Sequence, residues 1–247
     1  MREDVRSPTG STDKAFMMPS VCSYFNERQA NMLYVFTANP SARQRSLMFE
    51  NGFRRCGAYW YQIRCIHCHA CKAYRVLCHN FTPSRNQKQV LRRNRDLTLR
   101  ITAPLPAASK QHLFENYLRS RHHNPAAPHT SFELNRTFYE QLYHHTTFSL
   151  EFSYYTPEGE CVGFGIVDTA PSCASLVYFA FEPKFSARSP GTYHILRAID
   201  WCRNRQIPYL ILGLWIDEHP KMNYKKRFRP AQIYDFVTQT WYPIHDE

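Results

Sequence analysis

The sequence predicts an α+β protein with an N-terminal cysteine-containing α/β domain and a C-terminal domain in which helices flank a mixed, mostly antiparallel sheet. Three observations support this. Cysteine and arginine are concentrated between Cys22 and Asp96. Two apolar strand patterns flank Pro157-Glu-Gly159, which indicates a hairpin. The chain then continues as strand, loop, helix and strand. We place a flexible leader at residues 1–20, the first domain at 21–105 and the second at 106–247.

The composition is that of a folded, basic protein. A hydrophobic fraction of 43% and an aromatic fraction of 15% over 247 residues suffice for a substantial core. The longest apolar run, Tyr209–Ile216, is too short to span a bilayer, so we expect no membrane partner. Nine cysteines without an apolar leader of signal-peptide length indicate reduced thiols and a cytoplasmic location.

In the first half of the chain, proline and glycine residues mark the expected ends of the helices and strands. The polar leader contains Pro8, Gly10 and Pro19. Pro40 and Gly52 bound the first helix, and Ser84 is the expected N-cap of the second. We therefore predict strands at Leu33–Thr37, Tyr59–Ile63 and Tyr74–Cys78, and helices at Ser41–Glu50 and Ser84–Arg95.

The second helix carries part of a formal net charge of +11, which implies a polyanionic partner. Arg85, Lys88, Arg92 and Arg95 are spaced three, four and three residues apart, so a helix places them on one face. Such a face matches a run of phosphates.

In the second half, helical patterns precede the strands. Pro125 and Pro128 should separate two helices. We predict helices at Lys110–Arg121, Phe132–Tyr143 and Tyr193–Arg205, and strands at Thr147–Tyr155, Cys161–Asp168, Ser175–Phe181 and Tyr209–Ile216.

Cys65, Cys68 and Cys71 lie at the spacing of metal ligands. We take Cys22 as the fourth ligand, while Cys56, Cys78, His67 and His69 stay open as alternatives. Such a site suits a structural zinc or an iron–sulfur cluster. Buried thiols without a metal are the competing interpretation. We expect no cofactor for the chemistry itself.

The loop that precedes the last helix predicts an anion site, because a helix N-terminus presents unpaired N–H groups. Arg188 and Gly191 match the start of the pyrophosphate loop of CoA-dependent N-acyltransferases. Tyr193 stands where that loop has a small residue, which argues against CoA. The order of strands and helices here is typical of the N-acyltransferase fold.

Several ordered blocks together resemble the aminoacyl-tRNA–protein transferases, in particular the bacterial branch. They include Cys22-Ser-Tyr24, Gly52-Phe-Arg-Arg55, the Cys65/Cys68/Cys71 block with Arg75-Val, Phe81–Gln87, Tyr178–Pro183, Ser189–Tyr193 and Lys221–Pro230. The resemblance implies transfer of an amino acid, leucine in that branch, from aminoacyl-tRNA to the N-terminal amine of proteins beginning with Asp or Glu. It also implies that the product is marked for degradation.

The resemblance also implies roles for individual residues. Arg75, Arg85, Lys88 and Arg92 would contact tRNA phosphates or the acidic side chain of the acceptor protein. Ser189, Gly191 and Thr192 would hold the 3′ end of the tRNA, with Tyr193 available to stack or hydrogen-bond. Lys221, Tyr224, Lys225 and Arg227 would line the acceptor site, and Asp168 and Glu182 would assist proton transfer.

Three other functions stay open at this point. Pro190 and the acidic stretch Asp217-Glu-His-Pro220 depart from the family pattern, so arginine transfer from arginyl-tRNA is an alternative. A non-catalytic, metal-stabilised RNA-binding protein would also explain the charge and the cysteines. A CoA-dependent N-acetyltransferase is the third, and Tyr193 argues against it. The sequence leaves the oligomeric state open.

Overall fold

The computed structural model describes residues 14–37, 39–121, 130–144 and 146–244, which fall into two compact units. The first unit contains the chain up to Phe81, Ala170–Ser175 and the chain from Cys202 onward. The second contains Thr82–Thr169 and Leu176–Trp201. No helix in these ranges combines the length and the apolar character needed to cross a membrane.

The described residues contain twelve strands and five α-helices, besides two 3-10 segments and one π-helical segment. The strands are β1 Lys14–Val21, β2 Gln29–Phe36, β3 Arg54–Cys56, β4 Tyr59–Ile63, β5 Lys72–Leu77, β6 Thr98–Thr102, β7 Ser149–Tyr155, β8 Cys161–Thr169, β9 Cys173–Phe181, β10 Tyr209–Trp215, β11 Ala231–Asp235 and β12 Thr240–Pro243. The helices are α1 Ala42–Glu50, α2 Arg85–Arg93, α3 Ala108–Arg121, α4 Ser131–Arg136 and α5 Pro190–Asn204.

The first unit contains one complete antiparallel sheet, in the order β1-β2-β4-β3. It also contains strands in the order β12-β11-β5-β10, followed by the first three residues of β9. β10 is antiparallel to β5 and parallel to β9, so the sheet is mixed. The ladder between β10 and β5 shifts register between Ile211 and Gly213.

Part of the predicted leader is a strand. β1 pairs with β2 along its whole length, and the ring of Phe16 stacks on Tyr34 with centroids 5.5 Å apart. The run Phe16-Met-Met supplies the apolar side chains that a strand needs, so the leader prediction is wrong from Lys14 onward. Residues 1–13 lie outside the described residues.

The second unit contains β6, β7 and β8 as an antiparallel ladder, with the remainder of β9 next to β8. Phe114 of α3 and Phe138 are fully buried, with ring centroids 5.7 Å apart, and both pack in one cluster with Phe164 of β8. The predicted helix at 132–143 is α4 followed by a π-helical segment, Thr137–Leu142. Pro125 and Pro128, the residues predicted to separate the helices at 110–121 and 132–143, lie outside the described residues.

The predicted fold class, α+β with a large mixed sheet and flanking helices, is confirmed. The expected boundary near residue 105 differs from the division into units, because β5 pairs with β10 and β11, which lie more than 130 residues further along the chain. The C-terminal residues from Cys202 onward therefore belong with the N-terminal residues.

Candidate active site

Lys225 is the most unusual cation of the first unit. It lies in a 3-10 turn, Asn223–Arg227, and its side chain is only 4% exposed. Its ammonium nitrogen is 3.8 Å from the Met222 sulfur and 4.8 Å from the centre of the Tyr224 ring. Among the described residues, no carboxylate lies within ion-pair range of it. Burial, and secondarily the charge of Arg54, lower the pKa of Lys225 to about 7.

Arg54 provides a second positive charge near Lys225. It begins β3, and its guanidinium lies against the backbone of Gly213 in β10: a Cβ at Gly213 would stand 2.8 Å from the Arg54 Cζ. Gly213 also has a φ of +94°, which disfavours any other residue. The family resemblance covers Arg54 in the block Gly52-Phe-Arg-Arg55 but implies no role for it. The glycine that admits it is 159 residues away, so no local pattern could have indicated the contact.

A cavity of about 240 Å³ lies in the same unit. Its walls include Tyr24, Met32, Tyr34, Tyr61, Ile63 and Leu214. Arg54 is close enough to Tyr24 to act on its ionisation: burial raises the pKa of Tyr24 to about 12, and the Arg54 charge opposes that rise. Arg54 is not itself a wall residue, but its guanidinium lies against the backbone of Gly213, which precedes the wall residue Leu214. We call this cavity the apolar cavity.

Arg75 is held rigidly between two aromatic rings. Its guanidinium carbon lies 3.9 Å from the centre of the Tyr209 ring and 4.0 Å from that of Trp241. Its Nε donates to the Gln232 side chain at 2.7 Å. Burial lowers the pKa of Arg75. Two stacked rings and one hydrogen bond orient the planar fork, as a receptor for a carboxylate or phosphate requires.

The other predicted acceptor residues lie at the surface. Lys221 and Arg227 are exposed, and Tyr224 is 37% exposed. The neighbouring Lys226 is exposed as well and faces Asp217 at 3.5 Å. Of the four residues predicted at the acceptor site, only Lys225 is buried.

The four predicted metal ligands do not form a metal site in the described part of the chain, where no three His, Cys, Asp or Glu side chains converge. Cys22, Cys65 and Cys71 line the apolar cavity. Cys65 and Cys71 also line a second cavity, together with Cys68 and His69. The Cys68 sulfur accepts a hydrogen bond from Arg28 at 3.4 Å. Burial, and secondarily the nearby thiols of Cys22, Cys65 and Cys68, raise the pKa of Cys71 to about 12. The structural metal site stays a prediction, and we derive no chemical step through a metal.

In the second unit, the predicted anion loop opens α5. Ser189 has a left-handed backbone, with φ of 56°, and its carbonyl accepts from the Tyr193 N–H. Pro190 occupies the first turn, where its missing N–H is harmless. Gly191 and Thr192 lie within that turn rather than before it, and the space above Gly191 is open. Their N–H groups are among the unpaired donors of the helix.

The loop is fixed by the end of α2. Arg188 forms two hydrogen bonds to Asp96, at 2.9 and 2.8 Å, and this contact lowers the pKa of Asp96. Arg93 donates to the Ala187 carbonyl, and Asn94 donates to the Arg188 carbonyl. Arg188 is therefore engaged with protein, whereas the N-acyltransferase comparison placed it at a ligand phosphate.

Tyr193 does not face the open side of the loop, and its predicted contact with tRNA stays a prediction. Its side chain is 3% exposed and packs on Tyr154, with ring centroids 5.4 Å apart. The following residue, His194, is also buried; its Nδ1 pairs with the Tyr154 hydroxyl at 2.9 Å and its ring stacks on Phe179. Because Tyr193 points into the core, it leaves the loop unobstructed and gives no argument against CoA.

The two predicted proton-transfer residues differ in access. Asp168 is fully buried, and its carboxylate accepts a 2.5 Å hydrogen bond from Ser149. The hydrogen bond from Ser149 fixes the position of this carboxylate, and its predicted role in proton transfer stays a prediction. Glu182 is half-buried at the end of β9, where Asn116 donates to it at 3.5 Å.

Three of the four cations predicted on one face of α2 lie in the helix: Arg85, Lys88 and Arg92. Ser84 caps the helix and forms a capping box with Gln87, which is buried. Arg85, Lys88 and Arg92 are exposed on the side away from Gln87 and Asn94. Arg95 is exposed but lies beyond the helix, which ends at Arg93.

Two family profiles match the chain, described as the N terminus and the C terminus of arginine-tRNA-protein transferase, over residues 20–89 and 109–235. A protein of Stenotrophomonas maltophilia named aspartate/glutamate leucyltransferase is 35% identical over 92% of this chain and 90% of its own length. A protein of Leptospira interrogans with the same name is 34% identical, over 88% and 84%. The solved structure of FemX aligns with 89% of this chain and 86% of its own, at 8% identity and a TM-score of 0.49.

Proposed function

We propose, from the premise that the chain belongs to the arginine-tRNA–protein transferase family, that it transfers leucine from leucyl-tRNA to the N-terminal amine of proteins that begin with Asp or Glu. The protein is an aminoacyltransferase. Its partners are an aminoacyl-tRNA and an acceptor protein, and the added residue marks the acceptor for degradation. The structural observation that supports an acidic acceptor is the buried Lys225 close to Arg54.

The reaction itself makes modest demands on acid–base chemistry. An α-amino group has a pKa near 8, so the free amine is available near neutral pH once one proton has gone to water. Its nitrogen attacks the ester carbonyl; the C–N bond forms, the C–O bond to the terminal ribose breaks, and the second amine proton ends on the ribose oxygen. Positioning of amine against ester supplies much of the rate. An activated side-chain nucleophile is unnecessary.

The acceptor carboxylate is recognised, in this proposal, by Lys225 together with Arg54. A buried ammonium without a counter-ion is costly, and a carboxylate from the acceptor would compensate it. Arg75, oriented by Tyr209 and Trp241, offers a bidentate fork to the same carboxylate or to a phosphate. The exposed Lys221, Tyr224 and Arg227 would then contact the acceptor peptide at the surface.

The tRNA is bound mainly by charge. Arg85, Lys88 and Arg92 form an exposed row on α2, and phosphate contacts of this kind give affinity without base specificity. The α2 helix also holds the segment that opens α5, through Arg93 and Asn94. Ser189, Gly191 and Thr192 would bind the 3′ end there. Glu182 stays a proposal for proton transfer.

A transfer assay tests the function. Peptides that begin with Asp, Glu, Lys or Arg are offered with radiolabelled leucyl-tRNA and, in parallel, with arginyl-tRNA. We expect leucine to enter only the Asp and Glu peptides. Arginine incorporation would keep the family and overturn the donor. Tight tRNA binding without any product would favour a non-catalytic RNA-binding protein.

A further inference from the structure

The apolar cavity of the first unit has no role in the proposal so far. Its volume is about 240 Å³, and an apolar cavity of about 150 Å³ is large enough to bind benzene. It therefore has room for a branched aliphatic side chain. Ile63 and Leu214 are buried, and Met32 and Tyr34 are half-buried. The wall also contains Ser23 and four cysteines, so it consists of hydrocarbon, ring faces and thiols. The cysteines are Cys22, Cys56, Cys65 and Cys71.

The electrostatics of the cavity select against a cation. None of the described residues that line it is Asp or Glu, so an arginyl guanidinium would enter without a counter-ion. An uncharged aliphatic group does not meet this obstacle.

The position of the cavity agrees with the geometry of the reaction. The donor side chain is attached one bond from the ester carbonyl, which must meet the acceptor amine. The acceptor carboxylate is proposed at Arg54 and Lys225, and Arg54 lies against Gly213, the neighbour of the wall residue Leu214. A donor side chain in the cavity would thus place its carbonyl close to the acceptor.

We propose that the apolar cavity receives the side chain of the transferred amino acid, and that its acid-free wall makes the enzyme select leucine over arginine. This rests on the proposed function. The choice of the transferred amino acid is thereby made by the wall of the apolar cavity and not only through recognition of the tRNA body. Met32 and Leu214 are the specificity residues that the proposal names.

The test separates the effect of the donor side chain from the effect of the tRNA body. One leucine tRNA is charged with leucine, alanine, phenylalanine or arginine, and single-turnover transfer to an Asp peptide is measured. We expect wild type to favour leucine over arginine on the same tRNA by at least about 100-fold, since a buried charge without a partner is rejected strongly. Equal use of arginine would overturn the proposal. Transfer from none of the four would instead refute the proposed function.

Two variants then probe the wall. Met32→Trp fills the cavity and should lower leucyl transfer about 10- to 100-fold relative to alanyl transfer. Met17→Trp is the matched control, because Met17 is an exposed methionine on the neighbouring strand outside the cavity wall. Leu214→Ala enlarges the cavity and should raise phenylalanyl relative to leucyl transfer, which keeps the test available if Met32→Trp does not fold. Unchanged donor ratios in folded variants, or altered dependence on the second acceptor residue instead, would overturn the proposal.

Discussion

Lys225 and Lys226 are adjacent lysines with opposite surroundings, which makes them a matched pair. Lys225 is buried without a carboxylate in range, and Lys226 is exposed beside Asp217. We expect Lys225→Met to raise the KM for an Asp peptide at least about tenfold, with the KM for leucyl-tRNA unchanged. Lys226→Met should alter neither. An equal effect of both substitutions would remove Lys225 from the acceptor site.

The same substitution should stabilise the free enzyme. The folded pKa of Lys225, about 7, lies below its usual value of 10.5, so the unfolded chain binds more protons between these pH values and wild-type stability rises with pH across them. Lys225→Met removes the cost of the buried charge, about 1–3 kcal/mol near pH 6. Thermal denaturation at pH 6 and pH 9 checks this: the gain should be larger at pH 6. A loss of stability at pH 6 would contradict the assignment.

His194 should make the second unit sensitive to acid. Complete burial lowers its pKa from 6.5 to about 3, so the stability that neutral His194 provides is present above pH 6.5 and is lost as the pH falls from there towards 3. Each pH unit in that window costs up to about 1.4 kcal/mol. His194→Gln can keep a partner for Tyr154 and should flatten the dependence of the melting temperature on pH. An unchanged slope would show that other groups dominate.

Individual residues differed in how well the sequence indicated their place. Ser84 was identifiable as an N-cap because capping depends on residues three apart. Lys225 could be assigned to the site through its family block, but its burial could not. Tyr193 and Asp168 look like site residues in sequence because they lie next to a loop and a strand end. Their side chains turn inward through packing on Tyr154 and a hydrogen bond from Ser149, which only the fold decides.

At the scale of elements, α2 is predicted to be a phosphate-binding helix. Replacing Arg85, Lys88 and Arg92 together with glutamine should raise the KM for leucyl-tRNA, because the row of positive charge is removed. The slope of log affinity against log salt should fall by about 1 for each phosphate that no longer meets a cation. Transfer at saturating tRNA should be retained.

The control for α2 is Arg136→Gln, because Arg136 is exposed and bound to Glu140 at 2.9 Å. It should leave the salt slope unchanged. A triple variant with the wild-type slope would show that tRNA binds elsewhere.

Strands were harder to predict than helices for a physical reason. Helices α1, α2 and α3 were placed within a few residues, because capping and periodicity are local. β1, β3, β6, β11 and β12 were missed: they are short or, like β1, were assigned to a leader. β11 is stabilised by pairing with β5, and its partner Arg75 lies 157 residues before Gln232. No window of sequence contains both sides of such a ladder.

At the scale of the whole molecule, the predicted domain boundary can be tested by truncating the chain after residue 105. A fragment of residues 1–105 would retain β5 but lack β10 and β11, the strands that flank it on both sides. The backbone N–H and C=O groups on both edges of β5 would then be unpaired. The side chains of Tyr74 and Val76, which are buried in the full chain, would face solvent. We expect the fragment to lack a cooperative thermal transition, while the full chain has one. A stably folded fragment would support the boundary at 105.

The discontinuity of the units also bears on how the protein is made. A ribosome delivers the chain from its N-terminus at roughly 5–20 residues per second. β5 emerges early, yet both of its neighbours, β10 and β11, are encoded after residue 208. For roughly 7–27 s of synthesis at these rates the nascent chain carries β5 as an unpaired strand. The basic α2, which emerges just after it, keeps that nascent segment strongly charged in the meantime. Completion of the first unit therefore waits for the translation of β10 and β11, Tyr209–Trp215 and Ala231–Asp235.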